Sequence, residues 1–218
     1  MELDHLFICT AIDAPAAKTL REFGLVEGTP NTHLGQGSAN RRFFFRNFML
    51  ELLWVHDVEE ARTQPIHLAD RWLQRHTHCP FGLCLRPSAS RQTPAFPTWD
   101  YHPPYLPSHL SIQVGDNIAN LAEPMLFFLA FGHRPDRNLP EKQQPLDHHH
   151  RPSLQEVTRI AFTSPSFNAP SAALQALIAT QLITVEPGDR HEVTLGFDHE
   201  TQGQQTHFFS HLPLRFSW

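Results

Sequence analysis

The run Phe48-Met49-Leu50-Glu51-Leu52-Leu53-Trp54-Val55 constrains this chain more than any other stretch, because it is apolar at odd and even positions alike with one exception, Glu51. Apolar residues on both parities mark a strand covered on both faces. Glu51 therefore points into protein whichever face it takes. A carboxylate taken out of water must be paired, hydrogen-bonded, protonated or bound to a cation. Just upstream, Phe43, Phe44 and Phe45 form a second strand, and Arg46-Asn47 supplies the polar break of a hairpin. The preceding Gly35-Gln36-Gly37-Ser38 lets the backbone approach a neighbour closely. It leads into a strand rather than a helix, so it is not a phosphate-binding loop.

The hairpin closes a longer unit. Residues 3–9 read as a strand with His5 on the parity of Leu3, Phe7 and Cys9. Asp13 as N-cap and Pro15 then open a helix that runs to Phe23, with Gly24 as its stop. A short strand at 25–27 and the glycine loop follow. Residues 57–76 are helical but interrupted at Pro65. After a strand at 81–86, a proline-rich stretch from Pro87 to Pro107 cannot hold a regular helix or central strand. It reads as an ordered loop carrying Phe96, Trp99, Tyr101 and Tyr105. Residues 106–114 then form a strand with His109, Ser111 and Gln113 on one face, and 125–131 are a further apolar run. Residues 132–153, with the triplet His148-His149-His150, are a connecting segment. The last third repeats the opening plan: strand at 157–163, helix at 170–182, then strands at 183–185, 191–198 and 206–218. Aligning the two ends places Arg215 where Glu51 stands.

A formal net charge of -5 argues against a basic footprint for nucleic acid. No run is long and apolar enough to span a bilayer, and the amino terminus carries no basic leader. Cys9, Cys79 and Cys84 are odd in number and lack metal-like spacing, which fits reduced thiols in a cytoplasmic protein.

The opening Leu3-Asp4-His5, the helix-bearing unit, the His33-x-Gly35-x-Gly37-Ser38-x-Asn40 loop and Leu50-Glu51-Leu52 together resemble the glyoxalase-like domain of the vicinal oxygen chelate superfamily. The resemblance implies an α+β fold of βαβββ modules whose curled mixed sheets form a cup, with a metal held by a module's first and last strands. The modules would be residues 1–56, a degenerate middle one at 79–118 whose helix is replaced by the proline-rich loop, and 154–218, all packed as one domain. It implies His5 and Glu51 as ligands of a divalent metal (Mn, Ni, Zn or Fe), with the catalytic role of Glu51 that of a ligand or of the base that moves a proton. The last module has Thr158 or Arg159 and Arg215 at the matching positions, so the other ligands must come from elsewhere, and His109 and Gln113 are the candidates by parity.

Each residue also has a plainer role open to it. His5 could be a core histidine. Glu51 could form a buried ion pair with Arg41, Arg42 or Arg215. His33 and Asn40 could brace the glycine loop rather than contact substrate, and Trp99, Tyr101 and Tyr105 could be loop packing rather than a pocket wall. Two functions follow from the resemblance: a metal-dependent lyase, isomerase or dioxygenase acting on a small molecule with vicinal oxygens, or a non-catalytic binding or sequestering protein of bleomycin-resistance type. Neither needs nucleic acid or membrane, and a homodimer is compatible with both.

Overall fold

The computed structural model describes residues 1–146, 154–165, 167 and 169–218; the histidine triplet lies outside them. The chain is α+β, with two mixed sheets and short helices. The larger sheet has eight strands: β1 (Glu2–Cys9), β2 (Asn31–His33), β3 (Ser38–Phe44), β4 (Met49–Val55), β5 (Phe81–Arg86), β6 (Thr98–Tyr101), β7 (Ile112–Gly115) and β8 (Met125–Phe128), in the order β2-β3-β4-β1-β5-β8-β7-β6. This order is the same plan twice. In each half the first and last strands pair in parallel (β1 with β4, β5 with β8), and the intervening strands follow outward in antiparallel hairpins. The halves join along the antiparallel β1–β5 seam.

The first half carries α1 (Ala17–Phe23) between β1 and β2. Its start differs from expectation: Asp13 and Ala14 have positive φ, the cap is Ala16, and no side chain caps the helix. Gly24, at φ 112°, ends it as expected, because a left-handed residue there costs glycine nothing. The expected strand at 25–27 is reduced to a bridge between Glu27 and Phe43. Pro65 separates α2 (Val58–Arg62), capped by Asp57, from α3 (Leu68–Leu73). In the second half, β6 lies within the proline-rich stretch, and its place at the sheet edge explains why flanking prolines are tolerated. The strand expected over 106–114 begins only at Ile112.

The smaller sheet is built from β9 (Val157–Ser164), β10 (Ile183–Pro187), β11 (Glu192–Phe197), β12 (Gln205–His207) and β13 (Leu214–Ser217), with α4 (Ala172–Ile178) after β9. Its order, β10-β9-β11-β13-β12, differs from that of the opening unit. Here the strand after the helix pairs directly and in parallel with β9, and the last strand pairs with β11 rather than with the first. Arg215 consequently binds Glu192 at 2.9 Å and takes no part in a Glu51-like site.

The two sheets share one apolar core. The back of the large sheet meets the small one through Phe81 against Phe162, ring centres 5.6 Å apart, and Phe45 against Phe197 at 4.8 Å. Each fully buried aromatic side chain contributes roughly 1.5–3 kcal/mol. Asn47, in the β3–β4 turn, adds a polar link by donating to Val157 O at 2.8 Å and accepting from Val157 N at 2.9 Å. With its back so occupied, the large sheet has one face left for a ligand.

Candidate functional site

Register decides which residues share that face. Phe7 stands beside Glu51 on β4, Glu51 beside Arg42 on β3, and Asn31 beside Asn40 across β2–β3. Strand alternation then puts His5, Asn40 and His33 on the same side. The face encloses a cavity of about 180 Å³. Lining it from the first half are His5, Phe7, His33, Asn40, Arg42 and Glu51; from the second come Ile112, Met125, Phe127 and Leu129. Gly82 makes room at the seam, since a Cβ there would fall 2.0 Å from the Phe7 ring.

His5 and Glu51 are both buried, and His5 Nε2 lies 3.8 Å from Glu51 Oε2 within the cavity. Each is braced by a neighbour. Asp4 Oδ1 is 2.6 Å from His5 Nδ1, which directs Nε2 to the cavity. Burial works to raise the Asp4 carboxyl, but the hydrogen bond and charge of His5 and the Arg86 guanidinium at 3.4 Å outweigh it and hold it below the usual range. Asn40 Nδ2 donates to Glu51 Oε1, and Asn40 Oδ1 accepts from Asn31 N at 2.9 Å. None of the three arginines considered as ion-pair partners is hydrogen-bonded to Glu51. Arg41 is forked onto Glu27, Arg215 binds Glu192, and Arg42 donates to Thr29 O.

The expected third and fourth ligands are absent from the cavity. His109 is exposed, before β7 begins, and Gln113 stands on β7 beside Ile112, the residue that faces inward. Period-two alternation explains the correction: if Ile112 points into the cavity, Gln113 points out. Cys84, opposite His5, has its thiol near Asp4 and His5, and the three ligand atoms lie within 4.8 Å of one another. In this arrangement the Asp4 carboxylate is already shared by His5 and Arg86, and burial pushes the Cys84 thiol well above its ordinary pKa.

The proline-rich loop covers the opening. Tyr101 Oη lies 3.1 Å from Gln36 Oε1 and 2.9 Å from Gln64 Oε1, and the Tyr105 ring lies 4.8 Å from that of His33. Gly35, at φ 80°, admits the loop, for a Cβ there would sit 2.5 Å from Pro104. Tyr101 and Tyr105 line the cavity, whereas Trp99 packs against the Tyr101 ring at 6.1 Å and does not reach it. His33 Nδ1 is bonded to Ser38 Oγ at 2.9 Å, so His33 both braces the glycine loop and lines the cavity. Burial holds its imidazole below the usual pKa, with the Glu51 charge opposing. Sequence reading passed over Asp4, Phe7 and Gln36 as site residues. The first two adjoin His5 or share its parity, a signal that was available.

No protein-family model and no curated protein matches the sequence. Among solved structures, a hypothetical protein from Staphylococcus aureus superposes over 99% of this chain and 98% of its own with a TM-score of 0.55, at 10% identity. That likeness concerns the fold alone.

Proposed function

We propose that this chain is a glyoxalase-like protein of the vicinal oxygen chelate superfamily, and that its cup acts on a small organic molecule whose polar end meets His5 and Glu51. One observation carries the reading: the two residues contributed by the first and last strands of one half converge in the cavity, 3.8 Å apart, each held by a hydrogen-bonding partner, Asp4 for His5 and Asn40 for Glu51. The paired halves and their antiparallel seam support the same assignment.

The donor set suits a divalent ion as a two-ligand site. Bonds of about 2.0–2.2 Å from a histidine nitrogen and a carboxylate oxygen can meet across the 3.8 Å gap. His5 Nε2 and Glu51 Oε2 would hold the ion, which when bound would supply Lewis acidity towards neighbouring oxygens of the ligand. The rest of the chemistry belongs to the protein. Asp4 fixes the His5 tautomer, Asn40 holds the Glu51 carboxylate through Oε1, and Oε2, when it is not engaged by an ion, can take up and return a proton. The tyrosine-bearing loop limits water. A second reading, binding without catalysis, draws on the apolar Phe127 and Leu129 where further ligands would be sought.

Titration calorimetry with manganese, nickel and zinc separates the two. Two protein ligands predict weak binding that is lost in both His5→Ala and Glu51→Gln. Heat that is unchanged in the two variants would remove the metal from the site and leave the binding protein.

A further inference from the structure

Arg42 is the charged group of the cavity that His5 and Glu51 leave unused. Its neighbour Arg41 faces the other way on β3 and is neutralised by Glu27. Arg42 takes the cavity side because it stands opposite Glu51 in register. Its Nε donates to Thr29 O at 2.7 Å, and its guanidinium carbon lies 5.3 Å from the centre of the Phe44 ring. These contacts orient the group and leave its two terminal nitrogens, neither of which donates to an acceptor among the described residues. Burial draws the guanidinium below its usual pKa while Glu51 opposes, yet a guanidinium keeps its charge at any physiological pH. The nearby anion, Glu51, already accepts from Asn40. The cavity therefore presents an oriented cation without an anion forked onto it, and across from it an apolar wall of Ile112, Met125, Phe127 and Leu129.

We propose that Arg42 anchors the carboxylate of a small organic acid with an apolar body, and that such acids are the ligand class of this cavity. The inference rests on reading His5 and Glu51 as the polar edge of a ligand site. A carboxylate forks onto two guanidinium nitrogens in one plane. Arg42 and Glu51 are directly opposed on β3 and β4 and both line the cavity, so a ligand whose carboxylate sits on Arg42 shares the cavity with Glu51. The apolar remainder then reaches the second half. A volume of about 180 Å³ is below the roughly 300–1,000 Å³ of drug-sized pockets, which selects small acids. A phosphate dianion is disfavoured, because one guanidinium would have to offset two charges beside the Glu51 carboxylate.

The test compares acids with amides of the same shape: phenylacetate against phenylacetamide, and isovalerate against isovaleramide, by NMR titration in metal-free buffer. Wild type is expected to hold each acid about tenfold or more tighter than its amide, the scale of a charge-assisted fork. Arg42→Gln should erase the preference through loss of acid affinity alone, and Arg42→Lys should keep part of it; thermal melting verifies that both variants fold. Equal affinity for acid and amide in wild type, a preference that survives Arg42→Gln, or no binding by any of the four compounds overturns the proposal. Amides that bind while acids do not would overturn it and leave the cavity reading standing. The cavity reading fails differently: Glu51→Gln and His5→Gln would leave acid and amide affinities both unchanged.

Discussion

In the half of the large sheet built from β1 to β4, the cavity face carries His5, His33, Asn40, Arg42 and Glu51; the half built from β5 to β8 offers Tyr101, Ile112, Met125 and Phe127. The strand plan is the same, so the backbone does not account for the difference. What separates the halves is the support behind each side chain. Glu51 has Asn40, His5 has Asp4, and Asp4 has Arg86, whereas Phe127 is held by ring packing, 5.2 Å from His5 and 6.1 Å from Phe7. A duplicated scaffold can thus devote the cavity face of one half to chemistry and that of the other largely to shape, with Arg86 of β5 lending its charge to the first half's network across the seam.

The sharpest way to break the comparison is to place the Glu51 chemistry in the second half. Phe127→Glu would lose buried ring contacts and bury a carboxylate with no Asn40 to receive it. A loss of at least about 3 kcal/mol is expected in urea unfolding. Glu51→Gln, with a carbonyl that can still accept from Asn40, should change stability by only about 1 kcal/mol or less. If the two substitutions cost the same, the halves are not differentiated as described. An intermediate effect belongs to Asn40→Leu, which leaves Glu51 without its hydrogen bond and Asn31 N without its acceptor; about 1–3 kcal/mol should be lost by the same measurement.

The same asymmetry governs what was legible in the sequence. The first half could be read because Glu51 interrupts a run buried on both faces, and because Gly24 and the β3–β4 hairpin leave local signals. The second half could not. Its cavity wall is apolar, so an alternating strand at 106–114 is consistent with either face inward, and the polar parity of His109 and Gln113 was taken for the inner one. Leu106 does line the cavity, but from the loop before β7. β6 was hidden by prolines that only an edge position tolerates. In the last third the strands and helix were readable as elements, but pairing is a long-range property that no local pattern records. Hence the parallel β9–β10 contact and the binding of Arg215 to Glu192 came only from the structure.

The smallest expected effect is a difference in pH response between the halves. His33 is buried against Tyr105 and held below its ordinary pKa, so between pH values near 6.5 and its folded value the unfolded chain takes up a proton that the folded one refuses. Its contribution is therefore complete above about pH 6.5 and diminishes as pH falls from there. Asp4 has the sign of a depressed carboxylate: its contribution is present above the ordinary carboxylate range, near 4, and is lost only as pH falls through its lower folded value. A comparison of pH 7.5 with pH 5.5 leaves Asp4 ionised, and the His33→Gln variant identifies the part that belongs to His33. Hydrogen exchange, corrected for its intrinsic pH dependence, should show reduced protection in β2 and β3 at the lower pH. In β7 and β8, whose cavity-facing side chains do not titrate, protection should hold. His33→Gln should remove the change in β2 and β3. If protection fell equally in both halves, the division of the sheet into a titrating and an inert half would be wrong; if the change in β2 and β3 persisted without His33, it would have to come from other groups, His5 on the same face among them.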